Sequence, residues 1–293
     1  MDKPNVLVLM STYNGEQFIR EQINSILTQE NVNVELLIRD DGSKDSTAQI
    51  LKEYENNSAC HIVYGKNMGA NKSFLWLLNN CGTADYYSFS DQDDIWLKDK
   101  LITAVLALTR NQADLYHGLA GRVTKDLKPL PNGEYIPKDA FGASLMSSAT
   151  GCTMVFNKSL LERIRIYVPN DISMHDAWVY RVTYALGAKV YYDATSHMLY
   201  RQHEHNVSGG QMSVREKFKK IIKNRGLKYH IAEEIRYGFI NLLTEDNKKT
   251  LDQFLGYKKS ILGKIRVLTS SMYNVNSFKT NVINKILFVL NLI

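Results

Sequence analysis

The sequence predicts an α/β domain on a mostly parallel sheet, followed by a mainly helical extension, and three observations carry that prediction. Short β-rich runs alternate with helical patterns through the first hundred residues. The composition, 44% hydrophobic and 23% charged over 293 residues, is that of a chain with a large buried core. Charge then shifts sharply near Ser208-Gly209-Gly210, where paired glycines break regular structure. Residues 1–210 hold 20 basic and 24 acidic side chains, a net −4, whereas residues 211–293 hold 16 and 6, a net +10.

Taken in order, the elements are a strand over Asn5–Met10, a helix over Glu16–Thr28, a strand over Val34–Arg39, a helix over Ser46–Tyr54, a strand over His61–Tyr64, a helix over Lys72–Asn80, a strand over Tyr86–Phe89 and a helix over Lys98–Leu108. In open sheets of this kind ligands bind beyond the carboxyl ends of the strands, so the residues after each strand are where chemistry belongs. The first strand leads into Ser11-Thr12-Tyr13-Asn14-Gly15, hydroxyls and an aromatic face that suit a nucleobase or, equally, a helix cap. The second leads into Arg39-Asp40-Asp41-Gly42-Ser43, whose carboxylate suits a base N–H or ribose hydroxyl, with turn capping as the competing role. The third leads into Asn67-Met68-Gly69-Ala70-Asn71-Lys72, a helix start whose lysine is either a phosphate neighbour or simply solvated.

The fourth strand end is sharper. Tyr86-Tyr87-Ser88-Phe89 delivers Asp91, Asp93 and Asp94 into one short loop before Ile95-Trp96, and close carboxylates repel unless a cation compensates. Oxygen ligands suit Mg²⁺ or Mn²⁺, and Mg²⁺ usually arrives with substrate phosphates, which implies a diphosphate. Asp91 and Asp93 form the metal pair, while Asp94 is expected to start the helix that includes Trp96. Further on, Ser173-Met174-His175-Asp176 opens an amphipathic helix over Ala177–Leu186. The Asp176 carboxylate at a helix entry is a candidate general base, or an N-cap. His197, His203 and His205 lie on or after a strand over Ser196–Arg201. Their spacing allows a zinc site, but with no cysteine nearby His203 fits better as a further ligand to the cation or a diphosphate contact beside Arg201.

Several classes are excluded. Cys60, Cys81 and Cys152 show no C-x-x-C spacing, so neither a disulfide framework nor a thiolate zinc site is expected. No G-x-G-x-x-G or G-x-x-x-x-G-K-[ST] loop occurs, which removes dinucleotide and P-loop chemistry. Ser11-Thr12-Tyr13-Asn14-Gly15 lacks the Gly-rich loop of a sugar nucleotidyltransferase, and a non-catalytic sugar-binding protein has no need of Asp41, Asp91, Asp93 and Asp176 together. A pI near 9.0 without a helix-turn-helix, finger or RNA-reading motif argues against nucleic acid.

The chain resembles the inverting family 2 glycosyltransferases with the GT-A fold, especially the rhamnosyltransferase-like members that build bacterial surface polysaccharides. The likeness spans residues 4–210 and rests on Leu9-Met10-Ser11-Thr12-Tyr13-Asn14-Gly15, Leu37-Ile38-Arg39-Asp40-Asp41-Gly42-Ser43, Asn67-Met68-Gly69, Phe89-Ser90-Asp91-Gln92-Asp93-Asp94-Ile95-Trp96, Thr150-Gly151-Cys152-Thr153-Met154, Met174-His175-Asp176-Ala177-Trp178 and Tyr200-Arg201-Gln202-His203. The resemblance implies a Rossmann-like mixed sheet, with a nucleotide-sugar half over about residues 1–110 and an acceptor half over about 111–210. It implies that Ser11, Thr12 and Tyr13 line the nucleoside, that Asp41 meets the base, that Asp91-Gln92-Asp93 is the D-x-D element with Asp93 nearest the metal, and that Asp176 is the base. Where the family often has Gly-Gly, this chain has Gly151-Cys152. The implied donor is L-rhamnose on thymidine diphosphate, with galactose or glucose on uridine diphosphate as the alternative, and the implied acceptor is a growing, lipid-linked glycan.

The extension is read separately. Arg215–Arg225 interleaves lysines with Phe218, Ile221 and Ile222 as a basic amphipathic helix, and no acid follows Asp252. The run Val282–Leu290 is too short to span a bilayer yet apolar enough to lie in its interface. Such a region either touches anionic lipid or packs on the catalytic domain or a second subunit. With no signal peptide or spanning stretch expected, the protein is placed in the cytoplasm, peripheral on the inner face of the cell membrane.

Overall fold

The computed structural model describes residues 2–132, 137–169, 172, 174–203, 219, 222 and 225–293. The expected break at Ser208-Gly209-Gly210, most of the basic helix over Arg215–Arg225, Ser173 and His205 lie outside the described residues.

Seven strands form the main sheet. β1 (Asn5–Thr12), β2 (Asn33–Asp40), β3 (Cys60–Tyr64) and β4 (Tyr86–Ser90) are parallel in the order β3-β2-β1-β4. The sheet continues through β8 (Val155–Asn157), antiparallel to β4, then β6 (Leu115–Gly118) and β9 (Val190–Asp193). β1 is apolar on both faces because helices cover both: Val6, Val8 and Met10 pack in one cluster with Ile19, Ile23 and Ile26, while Leu7 and Leu9 pack in the other with Phe74 and Leu78. Those residues belong to α1 (Ile19–Leu27) and α3 (Ala70–Asn80), while α2 (Thr47–Lys52) and α4 (Lys100–Asn111) complete the first half.

Register aligns the strand ends. Thr12 pairs with Asp40 and Met10 with Ser90, so the loops after β1, β2 and β4 emerge side by side, at the point where the strand order reverses. Gly42 makes the turn after β2 with φ near 79°, and a Cβ there would lie 3.0 Å from the Asn67 amide nitrogen, so the 40–43 and 65–69 loops meet only over glycine.

A second sheet of three strands closes one side. In it β10 (Met198–Gln202) pairs antiparallel with β5 (Ile95–Trp96) and parallel with β7 (Gly121–Thr124). This overturns the expected helix start at Asp94: Ile95 and Trp96 are extended because they pair with Leu199 and Met198, and the helix begins at Lys100. Short elements α5 (Phe141–Ser144) and α6 (Lys158–Ile164) precede α7 (His175–Ala185), a helix in which every residue is buried.

The described C-terminal residues form α8 (Leu227–Phe239), α9 (Glu245–Gly256), α10 (Ile261–Thr269) and α11 (Phe278–Val289). They share the first cluster's core: Ile235, Phe239, Phe254 and Phe288 belong with Trp178 and Phe89. No helix among the described residues is long and apolar enough to cross a membrane.

Among the polar contacts that join this region to the sheet-bearing half, which include Asn247 Nδ2 donating to the Tyr184 and Ala185 carbonyls, one is made by a buried amine. Lys228 points its amine inward, donating to the Met146 carbonyl and Asn284 Oδ1, both at 3.3 Å, near the buried Arg181. Desolvation, with Arg181 adding to it, pushes the Lys228 amine down to about 7 from an ordinary 10.5. The unfolded chain therefore binds more protons than the folded one between those values, and stability should rise with pH across that window. Lys228→Met is expected to stabilise the fold by roughly 1–2 kcal/mol at pH 7, an advantage over wild type that shrinks by pH 9.5 in paired urea melts. An advantage independent of pH would refute the buried amine.

Candidate active site

The aligned strand ends open into a cavity of about 500 Å³. Its wall includes Ser11, Tyr13, Asp41, Lys72, Asp91, Asp93 and Asp176, so seven of the ten residues singled out from the sequence meet in one place. The other three, Thr12, Arg201 and His203, stand behind the wall.

Gln92 determines the shape of the first loop. Its Oε1 accepts from the Thr12 hydroxyl at 2.6 Å and the Tyr13 amide at 2.8 Å, and its Nε2 donates to the Tyr13 carbonyl at 3.2 Å. Thr12, 1% exposed, therefore holds the loop instead of lining the cavity. Gln92 is a residue the sequence reading passed over as the middle of D-x-D, because nothing in one chain marks which partner an amide side chain will take.

Asp41 is similarly occupied. Its carboxylate pairs with the buried Arg39 guanidinium and accepts from the amides of Met68 at 2.9 Å and Gly69 at 2.8 Å. Arg39 also donates to the Lys66 carbonyl at 3.0 Å. The pair holds the 66–69 loop at the start of α3 and so places Lys72 on the cavity wall. Ser11 bonds Ser73 of the same helix at 2.6 Å.

The acidic loop leaves β4 at Ser90, whose hydroxyl receives Gln22 Nε2 at 2.8 Å. β10 then clamps it. The backbone N–H of Arg201 donates to Asp94 Oδ1 at 3.2 Å, and its guanidinium donates to the carbonyls of Asp93 at 2.9 Å and Lys125 at 2.7 Å and to Glu21 Oε2 at 2.6 Å. That group also lies over the Phe18 ring, 4.5 Å from its centroid. Arg201 is 4% exposed and braces the loop from behind. His203 stacks on Phe18 and brings Nε2 to 2.7 Å from Asp93 Oδ2. His197 goes elsewhere, 2.9 Å from Asp99 Oδ2.

Burial and like charge both act on the carboxyls gathered here. Desolvation pushes the Asp91 carboxyl up to about 7, and Asp93 and then Asp176 add to it. Asp94, wholly buried, is pushed up by burial, then by Asp91 and Asp93, and its Oδ2 has no hydrogen-bond partner among the described residues. Lys100 is buried near Asp94, its amine 3.6 Å above the Trp96 ring and pushed down to about 7 by burial. Carboxylate oxygens of Asp91 and Asp93 with one imidazole form a donor set that fits Mg²⁺ or Mn²⁺. Asp91, Asp94 and Cys152 also bring ligand atoms within 4.8 Å of one another, a grouping the sequence does not reveal because Cys152 arrives from a loop sixty residues later.

The far wall is built from the entry to α7. Asp176 lies in its first turn, not at the cap, which is Met174. Asp176 Oδ2 accepts from the Gly151 amide at 3.2 Å and Oδ1 from the Ala177 amide at 2.6 Å. A Cβ at Gly151 would sit 3.0 Å from His175 Nε2 and 3.1 Å from Asp176 Cβ, so any larger residue would crowd the approach of the 151–153 turn to α7. His175 stacks on Phe74, centroids 3.9 Å apart, and meets Phe89 edge-on at 5.0 Å. Burial pushes its pKa down to about 4, so the imidazole on the cavity wall is neutral, a second residue that sequence reading missed.

The family 2 glycosyl transferase model matches residues 7–165, more than half of the chain. The chain belongs to glycosyltransferase family 2. It is 31% identical over 258 residues, 81% of this chain and 86% of the relative, to the dTDP-rhamnosyl transferase RfbG of Shigella flexneri. Its fold is similar to that of S. aureus TarS solved with UDP-GlcNAc, with a TM-score of 0.60 at 19% identity, covering 99% of this chain and 82% of that one. The mannosyltransferase PcManGT of Pyrobaculum calidifontis, solved with GDP-Man and Mn²⁺, superposes with a TM-score of 0.57 at 15% identity over 100% of this chain and 81% of that one. This glycosyltransferase has the GT-A arrangement, a mixed sheet flanked by helices with a helical C-terminal region.

Replacing Gln92 by Ala strips the Thr12 hydroxyl and the Tyr13 amide of their acceptor. In this family 2 enzyme it should lower unfolding stability by about 1–3 kcal/mol, measured in urea. A midpoint unchanged from wild type would contradict its bracing role.

Proposed function

We propose that this glycosyltransferase inverts configuration while moving a sugar from a nucleoside diphosphate to an acceptor hydroxyl, with L-rhamnose on thymidine diphosphate as donor. The observation that carries the reading is that Asp176, far along the chain, shares one cavity with Asp91 and Asp93 and lies close enough to raise the Asp91 carboxyl. One wall then suits a diphosphate and the other an attacking hydroxyl. The donor rests on similarity to a dTDP-rhamnosyl transferase, and the acceptor, a growing surface glycan on a lipid carrier, on the kind of relative matched.

Ser11, Tyr13 and Asp41 line the end of the cavity that receives the nucleoside, and Lys72 supplies positive charge for the phosphates. Asp91 and Asp93, with His203 behind them, hold Mg²⁺ or Mn²⁺, which when bound offsets charge on the departing diphosphate. Thr12 and Arg201 position these groups without touching the donor. Asp176 takes the proton from the acceptor hydroxyl as that oxygen attacks the anomeric carbon, and the Gly151 and Ala177 amides hold its carboxylate in place. The C-terminal helices rest peripherally on the membrane that carries the acceptor.

Asp176→Asn preserves size and hydrogen bonding but removes the base. It should reduce turnover by about 10²–10⁴-fold while nucleoside diphosphate affinity, read by calorimetry, stays within twofold. Unchanged turnover would sink the assignment. A screen of purified sugar nucleotides, read by nucleoside diphosphate release with a lipid-linked acceptor, should single out the thymidine-linked rhamnose. Preference for uridine-linked galactose or glucose would replace it.

A further inference from the structure

The transferase cavity makes no use of the surface of the last three helices. α10 and α11 pack together, with Lys264 Nζ donating to the Val289 carbonyl at 3.2 Å, yet each turns apolar side chains to solvent. In α11 Phe278, Val282, Ile286 and Val289 recur at helical spacing as one exposed stripe, while Asn284 and Phe288 face the core. In α10 Ile261, Leu262 and Ile265 are exposed, Ile261 at 82% and Phe278 at 86%, and only Val267 is buried. So many large apolar side chains exposed on two helices packed together mark a surface that something covers.

Charge indicates what covers it. Residues 253–293 contain six lysines and arginines and no acid. Between α9 and α10 runs a groove of about 450 Å³ lined by Lys249, Asp252, Gln253, Lys259, Ser260 and Arg266, and sharing the exposed Leu262 of α10. Its one acid, Asp252, is paired with Arg236. Among the described residues neither Lys259 nor Arg266 has an ion-pair partner, and Lys249 meets the exposed Asp246 at 3.8 Å and lies near the exposed Glu245. The groove is therefore net cationic and opens next to an apolar face, the pairing that an interface of anionic headgroups above acyl chains would satisfy.

We infer that the groove between α9 and α10 seats the phosphate of an anionic phospholipid headgroup while the stripe of α10 and α11 lies in the bilayer interface. The inference deepens the membrane contact in the proposed function and rests on it. Lys259 and Arg266 bind the headgroup, and Ile261, Leu262 and Phe278 enter the acyl boundary. The cavity of the transferase is not involved, so activity on a water-soluble acceptor is independent of this contact.

The test is co-sedimentation of the full chain with vesicles of phosphatidylcholine alone and with one-third phosphatidylglycerol. Partition is expected onto the anionic vesicles only. The double substitution Lys259→Glu and Arg266→Glu should lower it at least tenfold, since each cation near an anionic surface contributes roughly fivefold, and Ile261→Ser with Phe278→Ser should lower it comparably. Both variants should keep wild-type turnover on a soluble acceptor. If the apolar variant loses vesicle binding while the charge-reversed one keeps it, the groove is no headgroup seat although the membrane contact stands. If wild type ignores anionic vesicles, both fall. Calorimetric binding of inorganic phosphate that Lys259→Glu abolishes, without change in vesicle partition, would make a soluble phosphate the occupant. A dimer in solution that Phe278→Ser dissociates would make a second copy the cover and overturn the proposal.

Discussion

Four carboxylates at one end of a sheet are the constraint around which the rest of this protein is organised. Asp91, Asp93 and Asp94 leave β4 within four residues, and Asp176 faces them across the cavity. Desolvation and mutual repulsion push Asp91 up to about 7 and hold Asp94 well above the usual carboxylate range. Among the described residues, the buried cations beside the acidic loop are Lys100, itself pushed down to about 7, and Arg201, which spends three of its donors on backbone and on Glu21, while Lys72 lines the same cavity. Such a carboxylate cluster suits the divalent cation that the proposed function assigns to it.

The bracing around that loop explains features that otherwise look incidental. β5 is only two residues long, yet its pairing with β10 carries Arg201 and His203 to the acidic loop. Gln92 ties the loop to the end of β1, and Gln22 ties its origin to α1. On the opposite wall the 151–153 turn approaches α7 so closely that Gly151 touches both His175 and Asp176. Supports on both sides hold Asp176 and the acidic loop across the cavity from one another, the fixed spacing that the proposed displacement requires.

The sequence made the first half of this architecture readable because its signals are local. Strands β1 to β4 read as apolar runs, the residues after each strand end were the ones brought into the cavity, and Asp176 stood out at a helix entry. The helix expected through Trp96 was wrong because the pairing partner of Ile95 and Trp96 lies a hundred residues away, and propensity in a short apolar stretch carries no trace of it. Thr12 and Arg201 were read by residue type as ligand contacts, but hydroxyls and guanidinia serve equally well as internal braces, and only long-range contacts decide between the two. Gln92, His175, Cys152 and Lys100 went unread for the same reason: each gains its meaning from a neighbour distant in sequence. The basic C-terminal bias was visible in composition, whereas the core that α8 to α11 share with Trp178 was not.

The claim that most depends on the acidic loop is that nucleotide binding and cation binding are one event. Isothermal titration of a nucleoside diphosphate into the protein, with and without Mn²⁺, tests it directly when repeated on Asp93→Ala. The account predicts that Mn²⁺ tightens binding by at least tenfold in wild type and has no effect in the variant. Equal affinity with and without Mn²⁺ in wild type, while binding itself remains strong, would contradict it.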